Sequence, residues 1–431
     1  MSTTSLEFVD EHGTAVEPSE WSFASRACSE REFAGIAAAA RRSGRVLERD
    51  GLAVFALGTA MMVRAKSGFA TDRGAACVLE ALQAISPRND HTPVQGPLLL
   101  GALPFEASAP GELTVPKLVA IERDHLRVLV AVAPGAEVDQ LYRDPLSSFE
   151  APHATTAPPD HFELTSVQTH EAFRALVAEA IAAIAEGLFE KVVVAREVNV
   201  VANRPFVPSD LLGRLRALYP SCVAFSLGDF VGASPELLCR RSGSVVTSHP
   251  LAGTIARSGD PDEDARLARG LLASAKERSE HGIVVDAIVA DLGELTSAVM
   301  ASAEPHLLEL RNVVHLATTI SGHLREPAPG ALEIAVALHP TPAVGGWPRA
   351  AAIEWLVNHE RLERDRYAGP LGYMDASGDG EWWLGIRSAM LEGATARLLA
   401  GVGIVADSDP AAELAETQLK LQALLAAAVR P

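Results

Sequence analysis

The segment Lys191-Val192-Val193-Val194-Ala195-Arg196 predicts a buried β-strand near the middle of the chain. Its run of β-branched valines favours a strand inside a protein core. The preceding apolar residues recur at three- and four-residue spacing and predict an amphipathic helix that Gly187 ends: Phe173, Leu176, Val177, Ala180, Ile181 and Ile184. A helix therefore leads into this strand, and Lys191 is predicted to lie at the mouth of the strand.

Helix and strand patterns alternate on both sides of this segment. They predict strands over residues 52–55, 128–132, 382–386 and 397–399, and helices over residues 31–42, 262–292 and 349–362. Asp409 and Pro410 mark the N-cap and first position of a final helix. Turn residues within 375–380 indicate a hairpin, and hence antiparallel pairing. The predicted fold class is mixed α/β (α+β).

Residues 133–159 are rich in Pro, Ser, Thr and Asp, and are predicted to form a surface connection. Residues 1–160 contain no chemical motif, whereas residues 161–431 contain all the candidates described below. A chain of 431 residues exceeds a typical domain, but large α/β enzymes of this length often form one extended core. Length alone therefore leaves the number of domains open.

The composition is that of an acidic, soluble globular protein, with 48% hydrophobic and 21% charged residues. The 37 basic and 55 acidic residues give a net charge of −18 without a Lys/Arg run, which argues against nucleic-acid and anionic-membrane partners. The dispersed cysteines and the lack of a leader or long apolar segment favour a cytoplasmic protein without a disulfide framework. Such a protein must supply positive charge locally to bind a small dianion.

Two pairs of glutamates share the same spacing on predicted helices. Glu277 and Glu280 lie three residues apart, as do Glu413 and Glu416, so each pair occupies one helical face. Two facing acidic pairs would repel unless a cation lay between them, and an oxygen-only site suits Mg2+. The alternative is a solvated surface, because Glu416 and Lys420 also have the spacing of an i,i+4 ion pair.

Lys191 and Glu236 are candidates for proton transfer. A lysine beside an apolar run can lose hydration, which would lower its pKa towards that of a general base, although a strand-end lysine can instead extend to water. Glu236 lies between a turn and two leucines in the segment GASPELL, residues 232–238. Burial there would raise its pKa and suit proton donation, whereas an exposed turn carboxylate is the alternative.

Arg387 is predicted to end an apolar strand, where its guanidinium can bind a carboxylate through two hydrogen bonds. Gly401 and Gly403 follow the next strand and would let backbone N–H groups approach an anion. Among the dispersed histidines, His315 is the best candidate to line a site, although a structural histidine is the commoner case. No P-loop, Rossmann, GxSxG or HExxH motif is present.

An ordered series of segments resembles the chorismate-utilising enzymes, and together these segments span residues 165–428. They are KVVVAR (191–196), GASPELL (232–238), PLAGT (250–254), EH (280–281), HLAT (315–318), HPTPA (339–343), YAGPLG (367–372), GEW (380–382), IRSA (386–389), GVGIV (401–405) and ETQLK (416–420). An ordered set of this size is far more specific than any single motif.

The resemblance implies an isochorismate synthase, because the members that add water also have a lysine where Lys191 lies. Lys191 would activate water for attack at ring C2, and Glu236 would protonate the departing C4 hydroxyl. Mg2+ would be held by Glu280 and Glu416, with Glu277 and Glu413 behind them. The resemblance also implies a set of substrate-binding residues: Gly253, Thr254, His315, Ala343, Tyr367, Ile386, Arg387, Gly403 and Lys420.

Further expectations follow from the same resemblance. The fold would contain two packed, mainly antiparallel sheets surrounded by helices, with residues 1–160 in the same unit as the chorismate-binding region, residues 161–431. No glutamine amidotransferase partner is expected, and the chain would act as a monomer or weak homodimer in siderophore or menaquinone biosynthesis. Two alternatives stay open: a salicylate synthase that also eliminates pyruvate, and a non-catalytic homologue that binds chorismate.

Overall fold

The computed structural model describes residues 6–71, 73–88, 95–149 and 157–429. The part before residue 150 contains, in chain order, β1 (Leu6–Val9), β2 (Trp21–Ala27), α1 (Glu30–Ser43), β3 (Arg45–Arg49), β4 (Leu52–Leu57), β5 (Met61–Ala65), α2 (Gly74–Ala84), β6 (Ser86–Pro87), β7 (Leu98–Ala102), β8 (Gly111–Val115), β9 (Leu118–Arg123), β10 (Leu126–Pro134) and α3 (Val138–Arg143). Two short 3-10 turns, Pro18–Glu20 and Gly135–Glu137, precede β2 and α3.

The part from residue 157 onward alternates strands and helices to the end of the described chain. Its first half contains β11 (Phe162–Ser166), α4 (His170–Ala185), β12 (Lys191–Ala202), α5 (Pro208–Leu218), β13 (Val223–Leu227), β14 (Phe230–Ser234), β15 (Leu237–Ser242), β16 (Val245–His249), β17 (Leu251–Ala256), α6 (Pro261–Ala273), α7 (Ala275–Leu295) and β18 (Thr296–Ala301). Its second half contains β19 (His306–Glu309), β20 (Val313–Ala317), β21 (Ile320–Leu324), α8 (Ala331–Leu338), β22 (Gly346–Trp347), α9 (Arg349–His359), β23 (Pro370–Asp375), β24 (Gly380–Leu384), β25 (Ser388–Glu392), β26 (Thr395–Ile404) and α10 (Pro410–Ala428).

Two large sheets form the body of the protein, and the predicted mixed α/β class with mainly antiparallel sheets is confirmed. One sheet has the order β1-β5-β8-β7-β23-β24-β15-β16-β21-β18, and the other runs from β11 through β12 and β26 to β6. A small sheet, β17-β20-β19, lies apart from both. Strands from before residue 160 pair with strands from after it, as where Tyr373 on β23 faces Leu100 on β7.

The predicted helix and strand around Lys191 are confirmed. Helix α4 begins after Thr169, whose hydroxyl accepts a hydrogen bond from the backbone N–H of Ala172. Strand β12 begins at Lys191 and lies between β11 and β26, with Val192 opposite Ile404. Valines and alanines on this strand are buried because neighbouring strands flank it and helices pack against it.

The helical pattern predicted around residues 262–292 forms two helices, α6 and α7, with a break at Ser274. Ser274 adopts an extended backbone, and its hydroxyl accepts a hydrogen bond from the N–H of Glu277. This N-cap starts a new helix, and its Ser-x-x-Glu pattern is a recognisable start signal. The break therefore places Glu277 in the first turn of α7.

Two predictions of element limits were wrong. Strand β24 ends at Leu384, so Arg387 lies in the turn between β24 and β25 and does not end a strand. The predicted connection over residues 133–159 contains the end of β10 and all of α3, which Val138 and Leu141 anchor in the core. Residues 150–156 of that prediction lie outside the described residues.

Among the helices that are described, none is long and apolar enough to cross a bilayer.

Candidate active site

A cleft of about 630 Å³, including the solvent at its mouth, contains most of the residues selected from the sequence. Twelve of the fifteen selected side chains or backbones line it: Glu236, Gly253, Thr254, Glu280, His315, Ala343, Tyr367, Ile386, Arg387, Gly403, Glu416 and Lys420. Lys191, Glu277 and Glu413 do not line the cleft.

Lys191 lies behind the wall of the cleft and is only 1% exposed, which rules out the alternative of a lysine that extends to water. Its Nζ lies 2.9 Å from Oε1 of Glu280, and Glu280 does line the cleft. Gly403 makes this close packing feasible, because a Cβ there would lie 2.3 Å from the same Glu280 oxygen and 2.9 Å from Cε of Lys191.

Glu236 lies between β14 and β15 and is 4% exposed. Burial raises the pKa of its carboxyl from 4.5 to about 7, although a hydrogen bond from the N–H of Leu251 and the charge of Lys191 oppose that rise. The Leu251 N–H donates to Oε1 at 3.3 Å. Glu236 can therefore hold a proton near neutral pH and release it inside the cleft.

The two glutamate pairs lie on α7 and α10, and each carboxylate has a partner. Lys191 pairs with Glu280, and Lys420 pairs with Glu416 at 2.7 Å. Behind them, Lys276 lies 3.2 Å from Glu413, and the N–H of Thr254 donates to Glu277 at 3.1 Å. Glu416 and Lys420 thus line the cleft and also form the i,i+4 ion pair that the sequence offered as the alternative.

Glu277 and Glu413, which lie behind the two cleft glutamates, both have a raised pKa. Burial raises the pKa of the Glu277 carboxyl, and the nearby Glu280 and Glu416 carboxylates raise it further. Burial also raises the pKa of Glu413, against the lowering effect of Lys276. A cation bound between the helices would relieve this repulsion.

The donor chemistry of Glu280 and Glu416 fits a hard divalent cation. Both present carboxylate oxygens to the same cleft, which leaves coordination positions for water and ligand oxygens. Within the described ranges, no group of three or more His, Cys, Asp or Glu side chains is arranged to hold a metal ion. The protein itself therefore offers a two-carboxylate site rather than a closed metal cage.

Arg387 faces the cleft from the turn between β24 and β25, with a left-handed φ of 53°. This conformation is uncommon outside glycine, so surrounding contacts must maintain it. Among the described residues, no carboxylate forms an ion pair with Arg387, and burial lowers its pKa. Its Nη2 meets Nε2 of His315 at 3.2 Å, which leaves most of its donors for a ligand.

Lys420 and Tyr367 also line the cleft. Nζ of Lys420 donates to the carbonyl of Gly401 at 2.9 Å, and burial raises the pKa of the Tyr367 phenol. Gly401, a candidate from its glycine pair, also lines the cleft, and sequence reasoning missed seven further lining residues: Val193, Pro235, Leu251, Ala252, Val344, Arg364 and Ala368. Of these, Arg364 forms a buried ion pair with Glu360, and because both residues lie past the end of α9 no helical spacing signalled the pair.

The chain belongs to the chorismate binding enzymes, because residues 45–429 match that family's sequence profile. It is 43% identical over 267 residues to the salicylate biosynthesis isochorismate synthase of Pseudomonas aeruginosa, which covers 60% of this chain but only 55% of that protein. It is 39% identical over 346 residues to a putative isochorismate synthase MenF of Mycobacterium tuberculosis, covering 77% of this chain and 86% of the relative.

A solved structure agrees with these relatives. The crystal structure of a putative 2,3-dihydroxybenzoate-specific isochorismate synthase, DhbC from Bacillus anthracis, superposes with a TM-score of 0.75 and 32% sequence identity. The match covers 90% of this chain and 96% of that one. The predicted family and fold are therefore confirmed.

Glu236→Gln should change how stability depends on pH. Because folding raises the Glu236 pKa from 4.5 to about 7, its stabilising effect is full below the unfolded pKa and is lost as pH rises through 7. The free energy of unfolding, measured in urea, should increase in the glutamine variant relative to wild type by up to roughly 3 kcal/mol between about pH 5 and about pH 8. Parallel curves for the two proteins would contradict a pKa raised by folding.

Proposed function

We propose that this protein converts chorismate to isochorismate as a magnesium-dependent isomerase. The observation that carries the proposal is the convergence at one cleft of a proton-holding Glu236, of Glu280 with Lys191 behind it, and of Arg387, which has no carboxylate partner among the described residues. Isochorismate synthase is the activity that the names of the P. aeruginosa and M. tuberculosis relatives support. A small dianion is the class of ligand that an acidic protein would bind with such local cations.

Lys191 and Glu236 divide the proton transfers between them. Lys191, as the neutral amine, accepts a proton from water as the water oxygen bonds to ring C2, and the ring double bonds shift. Glu236 gives its proton to the C4 oxygen as that C–O bond breaks, so one water is consumed and one is released. Lys191 begins strand β12, whereas Glu236 lies between β14 and β15.

Mg2+ is the divalent ion that we assign to Glu280 and Glu416, with Glu277 and Glu413 behind them. Enzymes of this family generally need a divalent metal ion, and oxygen ligands with open positions suit Mg2+. When bound, the ion supplies positive charge for the ring carboxylate of the substrate. Lys420 holds Glu416 in place through an ion pair of 2.7 Å, and Nζ of Lys191 lies 2.9 Å from Glu280.

Arg387, Lys420, Tyr367 and the backbone at Gly403 bind the enolpyruvyl carboxylate in this proposal. The free donors of Arg387 and its position in the cleft support the assignment. Gly253, Thr254, His315, Ala343 and Ile386 line the ring site.

The organisation of the chain is part of the proposal. Residues 1–160 belong to the same α/β unit as residues 161–431, which the pairing of β7 with β23 supports. The enzyme acts in the cytoplasm as a monomer or weak homodimer. It needs no glutamine amidotransferase, because water rather than ammonia is the nucleophile.

Purified protein incubated with chorismate and Mg2+ should accumulate isochorismate, resolved by chromatography, without fluorescent salicylate. The expectation follows from a cleft with one acid and one base for a single exchange of hydroxyl groups. Abundant salicylate in the absence of a lyase would overturn the assignment in favour of a salicylate synthase. An absence of any turnover with intact chorismate binding would favour a non-catalytic homologue.

Lys191→Ala should lower turnover by about two to four orders of magnitude, the usual contribution of a general base. Chorismate binding should persist, measured by calorimetry with Mg2+ present, because Lys191 lies outside the cleft lining. Lys66→Ala is the control, since Lys66 is 70% exposed and pairs with Glu7 on the surface. Wild-type turnover in Lys191→Ala would refute its role as the base.

Glu280→Gln should weaken Mg2+ binding by at least about tenfold, because the amide keeps the shape and loses the charge of a metal ligand. A Mg2+ titration followed by calorimetry in the presence of chorismate measures the effect. Glu304→Gln is the matched control, as Glu304 is 71% exposed and pairs with Arg278. Identical Mg2+ titrations for Glu280→Gln and wild type would exclude Glu280 as a ligand.

A further inference from the structure

The hydrogen bonds around His315 determine which ring nitrogen carries the hydrogen. Nη2 of Arg387 lies 3.2 Å from Nε2 of His315. A guanidinium can only donate, so Nε2 must accept and must be free of hydrogen. The remaining hydrogen of a neutral imidazole is therefore on Nδ1.

Acceptors surround Nδ1, which agrees with this tautomer. Nδ1 lies 3.3 Å from the carbonyl oxygen of Gly253 and 3.1 Å from Oγ1 of Thr254. The carbonyl is an obligatory acceptor, so an Nδ1–H is the form that satisfies it. Burial lowers the pKa of His315 well below its usual value, and the charges of Arg387 and Lys420 lower it further.

A β-bulge in β17 places these acceptors. The pairing of β17 with β20 shifts register between Ala252 and Thr254, and Gly253 in the bulge has a left-handed φ of 74°. A Cβ at Gly253 would approach Oε2 of Glu277 to 3.2 Å. Glycine thus allows the bulge to lie against α7, and Thr254 is brought opposite His315.

Arg387 needs such a support because its own backbone conformation is unfavourable. It lies in a turn at a φ of 53°, and among the described side chains its one hydrogen-bond partner is His315. Within the part of the chain that the structure describes, no carboxylate is in ion-pair contact with the guanidinium to fix its direction. The imidazole is consequently the side chain that sets where the free donors of Arg387 point.

We propose that His315 is a positioning residue that, as the neutral Nδ1–H tautomer, aims Arg387 at a carboxylate of the substrate. The inference rests on the proposed function, since the substrate carboxylate is the ligand that Arg387 would bind. It gives His315 no part in proton transfer. The Gly253–Thr254 bulge, His315 and Arg387 form one hydrogen-bonded series from α7 to the substrate site.

Two substitutions separate this role from acid–base chemistry. Gln can place an acceptor near the position of Nε2, whereas Asn reaches only the position of Nδ1. His315→Gln should keep chorismate affinity within about threefold, and His315→Asn should weaken it by at least about tenfold, the loss expected for a hydrogen bond to a charged group. Calorimetry with Mg2+ measures both, and substitution of exposed His323 by Gln and by Asn is the matched control.

A double variant tests whether His315 acts through Arg387. Adding His315→Asn to Arg387→Met should weaken chorismate binding by less than about twofold beyond Arg387→Met alone, because the orienting contact is already gone. Fully additive losses would overturn the proposal. Equal losses in His315→Gln and His315→Asn would overturn it as well.

The tautomer can be measured in the unsubstituted protein, which avoids any variant that fails to fold. With nitrogen-15 histidine labelling, the His315 signal is the one absent in His315→Gln, and it should show hydrogen on Nδ1 and none on Nε2. Hydrogen on Nε2, or on both nitrogens, would contradict the proposal. Wild-type protein that does not bind chorismate, while showing the Nδ1–H form, would instead refute the proposed function and with it the substrate role of Arg387.

Discussion

The geometry of the cleft depends on one buried ion pair, Arg364 with Glu360. Both charges are almost fully shielded from water, so each must be satisfied by the protein. Arg364 contacts the two Glu360 oxygens at 2.7 Å and donates to the carbonyls of Val193 and Val344, while Glu360 accepts from the N–H of Ala195. The pair therefore ties helix α9 to strand β12 and to the loop that precedes β22. Lys191 begins that strand, so the Arg364–Glu360 pair helps to fix the position of Lys191.

Charge is distributed so that attraction and repulsion nearly balance around the site. The chain carries a net charge of −18, yet Lys191, Lys276 and Lys420 each face one of the clustered glutamates. These contacts lie at graded depth, from 1% exposure for the Lys191 side chain to 32% for Lys276. Because screening by water weakens exposed pairs, the Lys191–Glu280 pair, which joins β12 to α7, is the least screened of the three.

Local patterns were sufficient where a residue's role depends on its own element. The valine run predicted β12, and the three-residue spacing placed both glutamate pairs on single helices. Patterns failed where tertiary contacts decide. Arg387 lies in a left-handed turn rather than in a strand, and Lys191 stands behind Glu280 rather than in the cleft wall. The break at Ser274 was present in the sequence as a capping signal, but the long apolar periodicity of residues 262–292 concealed it.

Gly403 shows how a residue without chemistry can restrict the evolution of a site. Because Gly403 has no side chain, Glu280 and Lys191 can meet beside it. A methyl group there would lie 2.3 Å from the Glu280 oxygen and overlap it. A side chain at residue 403 would require the ends of Glu280 and Lys191 to shift from the positions in which they pair. The identity of residue 403 is thus a simple marker, readable from a genome, of whether an uncharacterised relative has kept the paired arrangement.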